Sequence, residues 1–278
     1  MQSFVFINND FYKEDEGFLH FRDLSIQRGY GFFDFFRVRD KAPLFVEDHL
    51  DRLYRSAEIM HMTIPLSREA IKSIIHSLIS KNGITDSGIR ITVTGGYSLD
   101  GYTLANPNII ISENTFTKPK KSKYSEGIKL ILYPYQRQLP EAKTTDYLME
   151  IWLQPYISLQ SAHDVLYFHD GVITECPRSN FFIVTENKEI LTPGENILKG
   201  VTRGRIMKAA MGNFELKEKN ITPEETLQAR EAFISSTTKG IMPVSSINGK
   251  TIGNGKPGPI TQALSSLLNA KEITEPNN

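Results

Sequence analysis

Residues 140–148 read Pro-Glu-Ala-Lys-Thr-Thr-Asp-Tyr-Leu, and Lys143 within them is the most informative residue of the chain. A lysine amine reacts with an aldehyde only in its neutral form, so a catalytic lysine needs burial or nearby positive charge to lower its pKa. Leu139, Pro140 and Ala142 make the setting of Lys143 more apolar than that of most lysines. The ordinary alternative is a lysine at a helix start that points into water. Other segments must therefore decide whether Lys143 is catalytic or a solvent-exposed lysine.

Four further segments carry the groups that an aldehyde cofactor held by a lysine needs. Glu175 ends an apolar run and begins a turn, where its carboxylate could pair with a protonated ring nitrogen. The run Gly200-Val201-Thr202 opens a helical pattern whose free N–H groups suit a phosphate, and Thr237-Thr238 lies in a hydroxyl-rich turn. Arg52, on a predicted helix, could close the same phosphate site. Ordinary explanations are a turn carboxylate, a helix cap, a polar turn and an ion pair of Arg52 with Asp48.

The composition is that of an ordinary globular protein. The 278 residues are 40% hydrophobic, and 32 basic side chains balance 32 acidic ones. This length predicts two compact units, and zero net charge gives no general attraction to nucleic acid. A single cysteine, Cys176, excludes an internal disulfide and a CxxC zinc pattern, so we expect no metal. Neither a leader nor a run of roughly 18 apolar residues is seen, so we expect a cytoplasmic protein with no membrane partner.

Hydrophobic periodicity predicts a mixed α and β chain with many short strands. A hairpin start at Phe4, helical spacing through 50–60 and after the cap-like Ser67, and strands at 89–94 and 108–112 are predicted for the N-terminal part. The Lys-, Ser- and Pro-rich run 117–126 predicts a linker between a domain at 1–116 and one at 127–278. Beyond it, strands are predicted at 128–133, 164–168, 171–174, 180–185 and 231–235, and helices at 146–160, 202–211 and 259–271. This order shows no regular alternation, which argues against a doubly wound sheet or an eight-fold barrel.

The order of these segments resembles that of the class IV aminotransferases, which are pyridoxal 5'-phosphate (PLP) enzymes of fold type IV. The landmarks that carry the resemblance are RGYGFFDFFRV at 28–38, HLDRL at 49–53, KTTDYL at 143–148, ITECPRSNFF at 173–182, ILKGVTR at 197–203 and ISSTTKGIMPV at 234–244. They span nearly the whole chain. The resemblance implies an α+β protein with a smaller N-terminal α/β domain and a larger C-terminal, PLP-binding domain that has a β-barrel-like core.

The resemblance also implies a role for individual residues. Lys143 matches the lysine that forms a Schiff base with PLP, Glu175 the partner of the pyridine nitrogen, and Arg52 a phosphate ligand. Tyr147 looks like the tyrosine that hydrogen-bonds the phenolic oxygen of the cofactor. The other phosphate ligands implied are Val201, Thr202, Thr237 and Thr238. Substrate contacts are expected from Phe33, Arg90 and Tyr102, with the backbone of Thr237-Thr238 as a second candidate partner of the substrate carboxylate.

Several positions depart from the family pattern, chiefly where substrate is selected. Asp34 stands where glutamate is usual, and Asp146 where asparagine is. The run Asp100-Gly101-Tyr102 replaces the Arg-x-His of the D-amino-acid enzymes and the Arg-Gly-Tyr of the lyases. The run Gly88-Ile89-Arg90 keeps only the arginine of the Tyr-x-Arg of the branched-chain enzymes. An acidic Asp100 is expected to repel a substrate carboxylate, and no subfamily fits fully.

The resemblance implies a homodimeric transaminase that moves an amino group between an amino acid, branched-chain or otherwise apolar, and a 2-oxo acid. Two alternatives remain open. One is an aminodeoxychorismate lyase that uses the same lysine to release pyruvate. The other is a non-catalytic relative that keeps the fold as a binding module.

Overall fold

The structure, a computed structural model, describes residues 3–274, with the backbone alone at Lys271, Ile273 and Thr274. These residues form two compact units, one of residues 3–117 and 142–146 and one of residues 118–141 and 147–274. The segment around Lys143 thus groups with the first unit, although the predicted bounds put it among the C-terminal residues. Residues 121–126 of the predicted linker are helical.

The first unit is built on a six-stranded antiparallel sheet in the order β2-β1-β6-β5-β3-β4. Its elements are β1 (Phe4–Ile7), β2 (Asp10–Lys13), α1 (Leu24–Arg28), β3 (Gly31–Arg39), β4 (Ala42–Pro43), α2 (Val46–Ile59), α3 (Arg68–Asn82), β5 (Ser87–Thr94) and β6 (Asn108–Asn114). Ser67 caps α3 as predicted, because its Oγ accepts a hydrogen bond from the N–H of Ala70 at 3.2 Å. The predicted hairpin at Phe4 is confirmed by the pairing of β1 with β2.

Strand β3 separates two different environments in this unit. Side chains alternate along a strand, so Phe32 and Phe36 share one face while Phe33 and Phe35 share the other. The first face packs with α2 and α3 in the core of the unit. Asp34 lies between Phe32 and Phe36 on that core face and has no solvent exposure. A buried carboxylate in this position requires partners, and it has them, as described below.

The second unit is built on a ten-stranded sheet that curls into a half-barrel. Its elements are α4 (Lys121–Glu126), β7 (Ile128–Pro134), α5 (Leu148–Trp152), α6 (Gln154–Leu159), β8 (Asp164–His169), β9 (Val172–Ile173), β10 (Glu175–Cys176), β11 (Ser179–Val184), β12 (Ile190–Thr192), α7 (Val201–Ala210), β13 (Leu216–Glu218), α8 (Pro223–Leu227), β14 (Glu231–Ser236), β15 (Gly240–Ile247), β16 (Lys250–Thr251) and α9 (Pro259–Thr274). Eight strands run β13-β12-β11-β14-β15-β7-β8-β9, with β10 beside β11 and β16 beside β15. The predicted α+β fold with a barrel-like C-terminal core is confirmed.

The sheet of the second unit buries both of its faces. On one face Phe181 packs with Ile234, and on the other Phe182 stacks on Phe233 with 4.7 Å between ring centroids. Ile206 of α7 and Leu264 of α9 belong to this second cluster. Helix α7 therefore covers the face of the sheet that carries Phe182 of β11 and Phe233 of β14. The packing of α7 on this face fixes the position of its first turn relative to β11 and β14.

Some elements differ from those predicted. The predicted helix 146–160 is two helices that meet at Leu153, and Pro155 stands in the first turn of α6, where its missing N–H removes no helical hydrogen bond. Strands β3 and β15 were not predicted. Among residues 3–274, no helix combines the length and the apolar character needed to cross a bilayer. The same residues contain no cluster of His, Cys, Asp and Glu suited to a metal ion.

Candidate active site

Lys143 is held by its backbone between β3 and α2. Its N–H donates to Ser56 Oγ at 3.1 Å, and its carbonyl oxygen accepts from the N–H of Phe33 at 2.9 Å. The next residue, Thr144, forms an antiparallel bridge with Phe32. The Lys143 side chain is half-buried, and its Nζ lies 4.7 Å from the centroid of the Phe33 ring. Its amine is therefore positioned by a fixed backbone and lies over an aromatic ring.

Arg90 lies against the same aromatic ring as Lys143. The Cζ atom of Arg90 is 3.7 Å from the Phe33 centroid, and its Nε donates to Thr92 Oγ1 at 3.2 Å. A guanidinium at this distance from an aromatic face gains a cation–π interaction. Of the predicted substrate residues, Phe33 and Arg90 are thus brought together with Lys143. The Arg90 guanidinium and the Lys143 amine thus lie against one ring.

Tyr102, the third predicted substrate residue, lies in an exposed loop. Its side chain is 84% exposed. Asp100 accepts hydrogen bonds from Ser98 Oγ and from the N–H groups of Tyr102 and Thr103. The Thr103 hydroxyl donates as well, and these bonds, led by that from the Thr103 side chain, hold the pKa of Asp100 far below its ordinary value. The Asp100 carboxylate thus organises its own loop.

Arg52, the predicted phosphate ligand, forms a bidentate ion pair with Asp34 inside the first unit. Its Nε donates to Asp34 Oδ2 and its Nη2 to Asp34 Oδ1, both at 2.8 Å. Burial opposes ionisation of Asp34, but the adjacent charge of Arg52 and the bonds from Arg52 and His49 hold the pKa of the carboxyl far below its ordinary value. The carboxylate at position 34 is therefore ionised, and the plane of the Arg52 guanidinium is fixed.

Glu175, in the second unit, is a buried carboxylate with strong partners. Its side chain is nearly inaccessible, and Oε1 accepts from Arg137 Nε at 2.9 Å and from Arg137 Nη2 at 2.7 Å. Arg137 Nη2 also donates to the carbonyl of Pro140 at 2.6 Å. The second oxygen, Oε2, accepts from the N–H of Leu198 at 3.1 Å. Arg137 was not predicted; an arginine six residues before the key lysine, at the end of a strand, was the available signal.

The start of α7 is fixed by Asn180, which pairs with Glu175 across β10 and β11. Asn180 Nδ2 donates to the carbonyl of Leu198 at 2.7 Å. A Cβ atom added at Gly200 would lie 2.1 Å from Asn180 Oδ1, so the loop packs directly on that amide. Gly200 is the N-cap of α7 and supplies no side-chain cap. The first N–H groups of this ten-residue helix, around Val201 and Thr202, therefore suit an anion.

The predicted second phosphate turn connects β14 and β15. Thr237 and Thr238 are half-buried there, and the turn is anchored by Lys239, whose Nζ donates to Asp164 Oδ2 and to Ser179 Oγ at 3.2 Å each. Just before the turn, Ser235 lies opposite Asn180 in the strand register. Its hydroxyl is buried, and no hydrogen-bond partner is found for it among residues 3–274. Such an atom is unfavourable without a ligand or water.

Tyr147 precedes α5 as its N-cap and is half-buried. Helices α5 and α6, which follow it, expose large apolar side chains at helical spacing: Leu148, Ile151, Trp152, Tyr156 and Leu159. The largest of these side chains, Trp152, is 64% exposed.

The family profile described as amino-transferase class IV matches residues 31–247, well over half of the chain. The chain belongs to the class IV aminotransferases. It is 28% identical over 277 residues to a D-alanine aminotransferase of Bacillus licheniformis, an alignment that covers 98% of each chain. It is 27% identical over 267 residues to a D-alanine aminotransferase of Staphylococcus epidermidis, with 94% of each chain covered.

Solved structures of this family have the same fold. The branched-chain aminotransferase of Thermoproteus uzoniensis with norvaline superposes with a TM-score of 0.87 at 26% identity, covering 98% of this chain and 97% of that one. A T.th. branched-chain amino acid aminotransferase, solved with pyridoxamine 5'-phosphate, has a TM-score of 0.89 at 21% identity, covering 99% and 95%. The second likeness shows the fold alone.

Membership of this family settles the class of activity. The class IV aminotransferase is an enzyme that acts as a transaminase and uses PLP, as predicted. The predicted family is confirmed, and the lyase alternative is not favoured by relatives that are aminotransferases. The alternative of a non-catalytic binding module is not favoured either, because the named relatives are enzymes.

Proposed function

We propose that this class IV aminotransferase holds PLP through Lys143 and transfers an amino group between an amino acid and a 2-oxo acid. The observation that carries the proposal is the placement of Lys143. Its N–H and C=O are both hydrogen-bonded, to Ser56 and Phe33, and its amine lies 4.7 Å from the Phe33 ring. Surface lysines are not fixed in this way, whereas a lysine that must react at one atom requires such fixation.

The groups of the chain fit the cofactor. A buried carboxylate, Glu175, suits the protonated nitrogen of a pyridine ring. The start of α7 at Val201 and Thr202 presents uncapped N–H groups, which suit a phosphate. The buried hydroxyl of Ser235, next to Asn180 in the register, is the kind of polar atom that a ligand satisfies. Arg52 supplies a permanent positive charge.

Each residue has a defined part in the reaction. When bound, PLP supplies an electron sink for the charge that develops at the substrate α-carbon. Glu175 would accept a hydrogen bond from the protonated ring nitrogen, and Arg137 orients the Glu175 carboxylate through two hydrogen bonds. The Lys143 amine, released when the substrate amino group takes its place, would accept the proton from the α-carbon and would deliver it to the carbon that Lys143 had held. Tyr147 would donate a hydrogen bond to the phenolic oxygen of the ring.

The phosphate of PLP is proposed to bind at three places. Arg52 contributes its guanidinium, the first turn of α7 contributes the N–H groups of Val201 and Thr202, and the β14–β15 turn contributes Thr237 and Thr238. Charged and backbone donors together fix a phosphate more precisely than a single point charge. Support comes from the anchoring of that last turn through Lys239.

The substrate is proposed to be an α-amino acid with a short or apolar side chain. Phe33 supplies an apolar surface, and Arg90, held on its ring, supplies the partner of a carboxylate. The Asp100 carboxylate is bonded within its own loop, so repulsion of a substrate carboxylate by that residue is weaker than its charge alone implies. D-alanine and branched-chain amino acids, named for the relatives, are the first substrates to test.

The enzyme is further proposed to be a cytoplasmic homodimer. The exposed apolar side chains of α5 and α6, including Ile151 and Trp152, support a second copy as the partner of this surface. The only cysteine, Cys176, is buried and unpaired, which suits a reducing compartment. A fully active monomer in sedimentation would contradict the dimer.

A single spectroscopic comparison tests the proposed function. The purified enzyme should be yellow, and borohydride should bleach it and attach the cofactor to the peptide that contains Lys143. The Lys143→Ala variant should not bleach. Lys217→Ala, which removes an exposed lysine of β13, is the matched control and should behave as the wild type. Colour that borohydride still fixes in the Lys143→Ala variant would refute the assignment.

The transaminase and lyase reactions can be told apart by whether turnover requires a 2-oxo acid as amino-group acceptor. Bleaching of the cofactor band by D- or L-amino acids in a single half-reaction should identify the donor. Turnover should require a 2-oxo acid and show two-step ping-pong kinetics. Steady release of pyruvate without an acceptor would instead favour the lyase.

A further inference from the structure

Asp34 is the centre of a fully buried polar cluster on the core face of β3. Besides the two bonds from Arg52, its Oδ1 accepts from the N–H of Phe35 at 2.7 Å and lies 2.7 Å from His49 Nδ1. His49 is 2% exposed and Arg52 9% exposed. The cluster joins two elements, because Asp34 comes from β3 while His49 and Arg52 come from α2. The strand and the helix thus meet at one carboxylate.

The protonation of His49 follows from its surroundings. Burial lowers the pKa of His49, although the Asp34 charge opposes this, so the ring is neutral at pH 7. A neutral imidazole that lies 2.7 Å from a carboxylate oxygen carries its proton on that nitrogen, so Nδ1–H donates to Asp34. The 3.3 Å distance from Arg52 Nη2 to the same Nδ1 is then a contact between two donors. His49 therefore supports the Asp34 carboxylate and does not compete for it.

The ion pair leaves a defined part of the Arg52 guanidinium for another acceptor. The bonds to Asp34 use the edge formed by Nε and Nη2. A planar guanidinium carries five N–H groups, and those on Nη1 lie on the side away from this edge. Because Asp34 grips two atoms of the plane, the direction of the remaining N–H groups is set before any ligand binds. Preorganised donors of this kind bind an anion without an ordering cost.

We propose that Asp34 and His49 are positioning residues that fix the Arg52 guanidinium so that its outer N–H groups meet the cofactor phosphate. The proposal rests on the proposed function, since it requires Arg52 to be a phosphate ligand. Asp34 does not touch the phosphate; it acts through Arg52. His49 acts one step further away by holding Asp34 Oδ1.

The test compares ligands that differ only in the phosphate. The full chain is freed of cofactor and titrated with PLP and with pyridoxal, which has the same aldehyde and ring but no phosphate. The ratio of the two dissociation constants reports the contribution of the phosphate alone. Asp34→Asn keeps the shape of the residue and removes its charge. Asp51→Asn is the matched control, because Asp51 is the neighbour of Arg52 on α2 and pairs with Arg68 at the surface.

The expected result is selective. Asp34→Asn should weaken PLP relative to pyridoxal by roughly tenfold or more, the value of one charge-assisted hydrogen bond that loses its geometry. Asp51→Asn should leave the ratio unchanged. If Asp34→Asn weakens both ligands equally, its role is merely structural and the proposal is wrong.

Two further variants separate the possible failures. If Arg52→Met removes the preference for PLP and Asp34→Asn does not, the positioning role is wrong while Arg52 remains a phosphate ligand. If Arg52→Met also keeps the preference, the phosphate assignment of the proposed function itself fails.

A pair of His49 variants tests the same idea should Asp34→Asn not fold. Asparagine can place an N–H where histidine has Nδ1–H, whereas leucine cannot. His49→Asn should therefore keep the ratio of PLP to pyridoxal affinity, and His49→Leu should lower it. Equal ratios in the two variants would overturn the role of His49 and with it the positioning cluster.

Discussion

The Arg90 guanidinium stacks on the Phe33 ring, with 3.7 Å between Cζ and the ring centroid. The same ring lies 4.7 Å from the Lys143 amine. Phe33 is therefore more than an apolar wall, because one ring contacts both the Arg90 guanidinium and the amine that we propose to be catalytic. Phe33 is held in turn by the bond from its N–H to the Lys143 carbonyl.

The stacking of Arg90 predicts a specific effect of replacing Phe33. Phe33→Leu keeps apolar volume but removes the aromatic face, so Arg90 should lose about 0.5–2 kcal/mol of cation–π attraction. We expect kcat/KM for amino acids to fall about twofold to thirtyfold, mainly through a higher KM, because each 1.36 kcal/mol corresponds to a factor of about ten. Phe33→Trp keeps an aromatic face and should retain most of the activity. An unchanged KM in Phe33→Leu would show that Arg90 does not depend on the ring.

The pairing of Arg137 with Glu175 predicts a change in the pH profile. Without the guanidinium, the buried Glu175 carboxylate should protonate more readily, since burial favours the neutral form. Arg137→Gln should lower kcat/KM by about 10–100-fold and move the acidic limb of the profile to higher pH. Arg230→Gln, which removes an exposed arginine just before β14, is the control. An acidic limb that stays in place would mean that Arg137 does not govern Glu175.

Sequence patterns predicted the elements whose signals are local. Ser67 caps α3, as a serine before an amphipathic run commonly does, and Pro155 lies in the first turn of α6, where proline is tolerated. The family order predicted roles for Lys143 and Glu175, which stay predictions; the structure shows hydrogen bonds at the backbone of Lys143 and at the carboxylate of Glu175. The start of α7 was likewise found one residue from its actual position at Val201.

What could not be predicted depends on contacts between distant segments. Strand β15 contains Pro243, which argues against a central strand, and only its pairing with β14 and β7 reveals it. Arg137 gains its role from Glu175, 38 residues away. Asp34 was recognised only as a departure from the family pattern, whereas its ion pair with Arg52 requires β3 and α2 to be packed. Side chains that act through a partner carry no periodic signal of their own.

The packing of Gly200 on Asn180 predicts that the start of α7 does not tolerate a side chain. Gly200→Ala would place Cβ 2.1 Å from Asn180 Oδ1, so the loop must shift and the first N–H groups of α7 with it. We expect about 1–3 kcal/mol of destabilisation, as for overpacking in general, together with weaker PLP binding. Thermal unfolding and a PLP titration measure the two effects.

A second glycine of α7 provides the control for this prediction. A Cβ atom added at Gly204 meets no atom within 4 Å, so Gly204→Ala should stabilise the helix by up to about 1 kcal/mol. Replacing Asn180 with Ser in the Gly200→Ala background should restore part of the stability, because the clashing amide is removed. Similar losses for Gly200→Ala and Gly204→Ala would show that the contact with Asn180 is not the cause.

The buried carboxylate of Asp34 predicts how stability changes in acid. Burial favours its neutral form, but the Arg52 charge outweighs this effect, so its pKa in the folded protein lies far below the ordinary value of 3.8. A lowered carboxyl pKa means that the unfolded chain binds the proton more tightly. The stabilisation is therefore complete above about pH 4, the ordinary carboxyl range, and is lost as the pH falls toward the folded pKa.

The Asp34→Asn variant isolates this contribution, since Glu47, Glu218 and Glu225, whose pKa values are also lowered, are common to both proteins. At pH 7 the variant should be less stable by about 3–5 kcal/mol, the usual cost of leaving one partner of a buried ion pair alone. Urea unfolding between pH 7 and about pH 2 should show the two free energies of unfolding converging below about pH 4, because the Asp34 carboxyl of the unfolded wild-type chain then binds a proton that the folded protein does not. A difference that stays constant over that range would mean that the Asp34 charge does not stabilise the fold, and the buried cluster would then be held by packing alone.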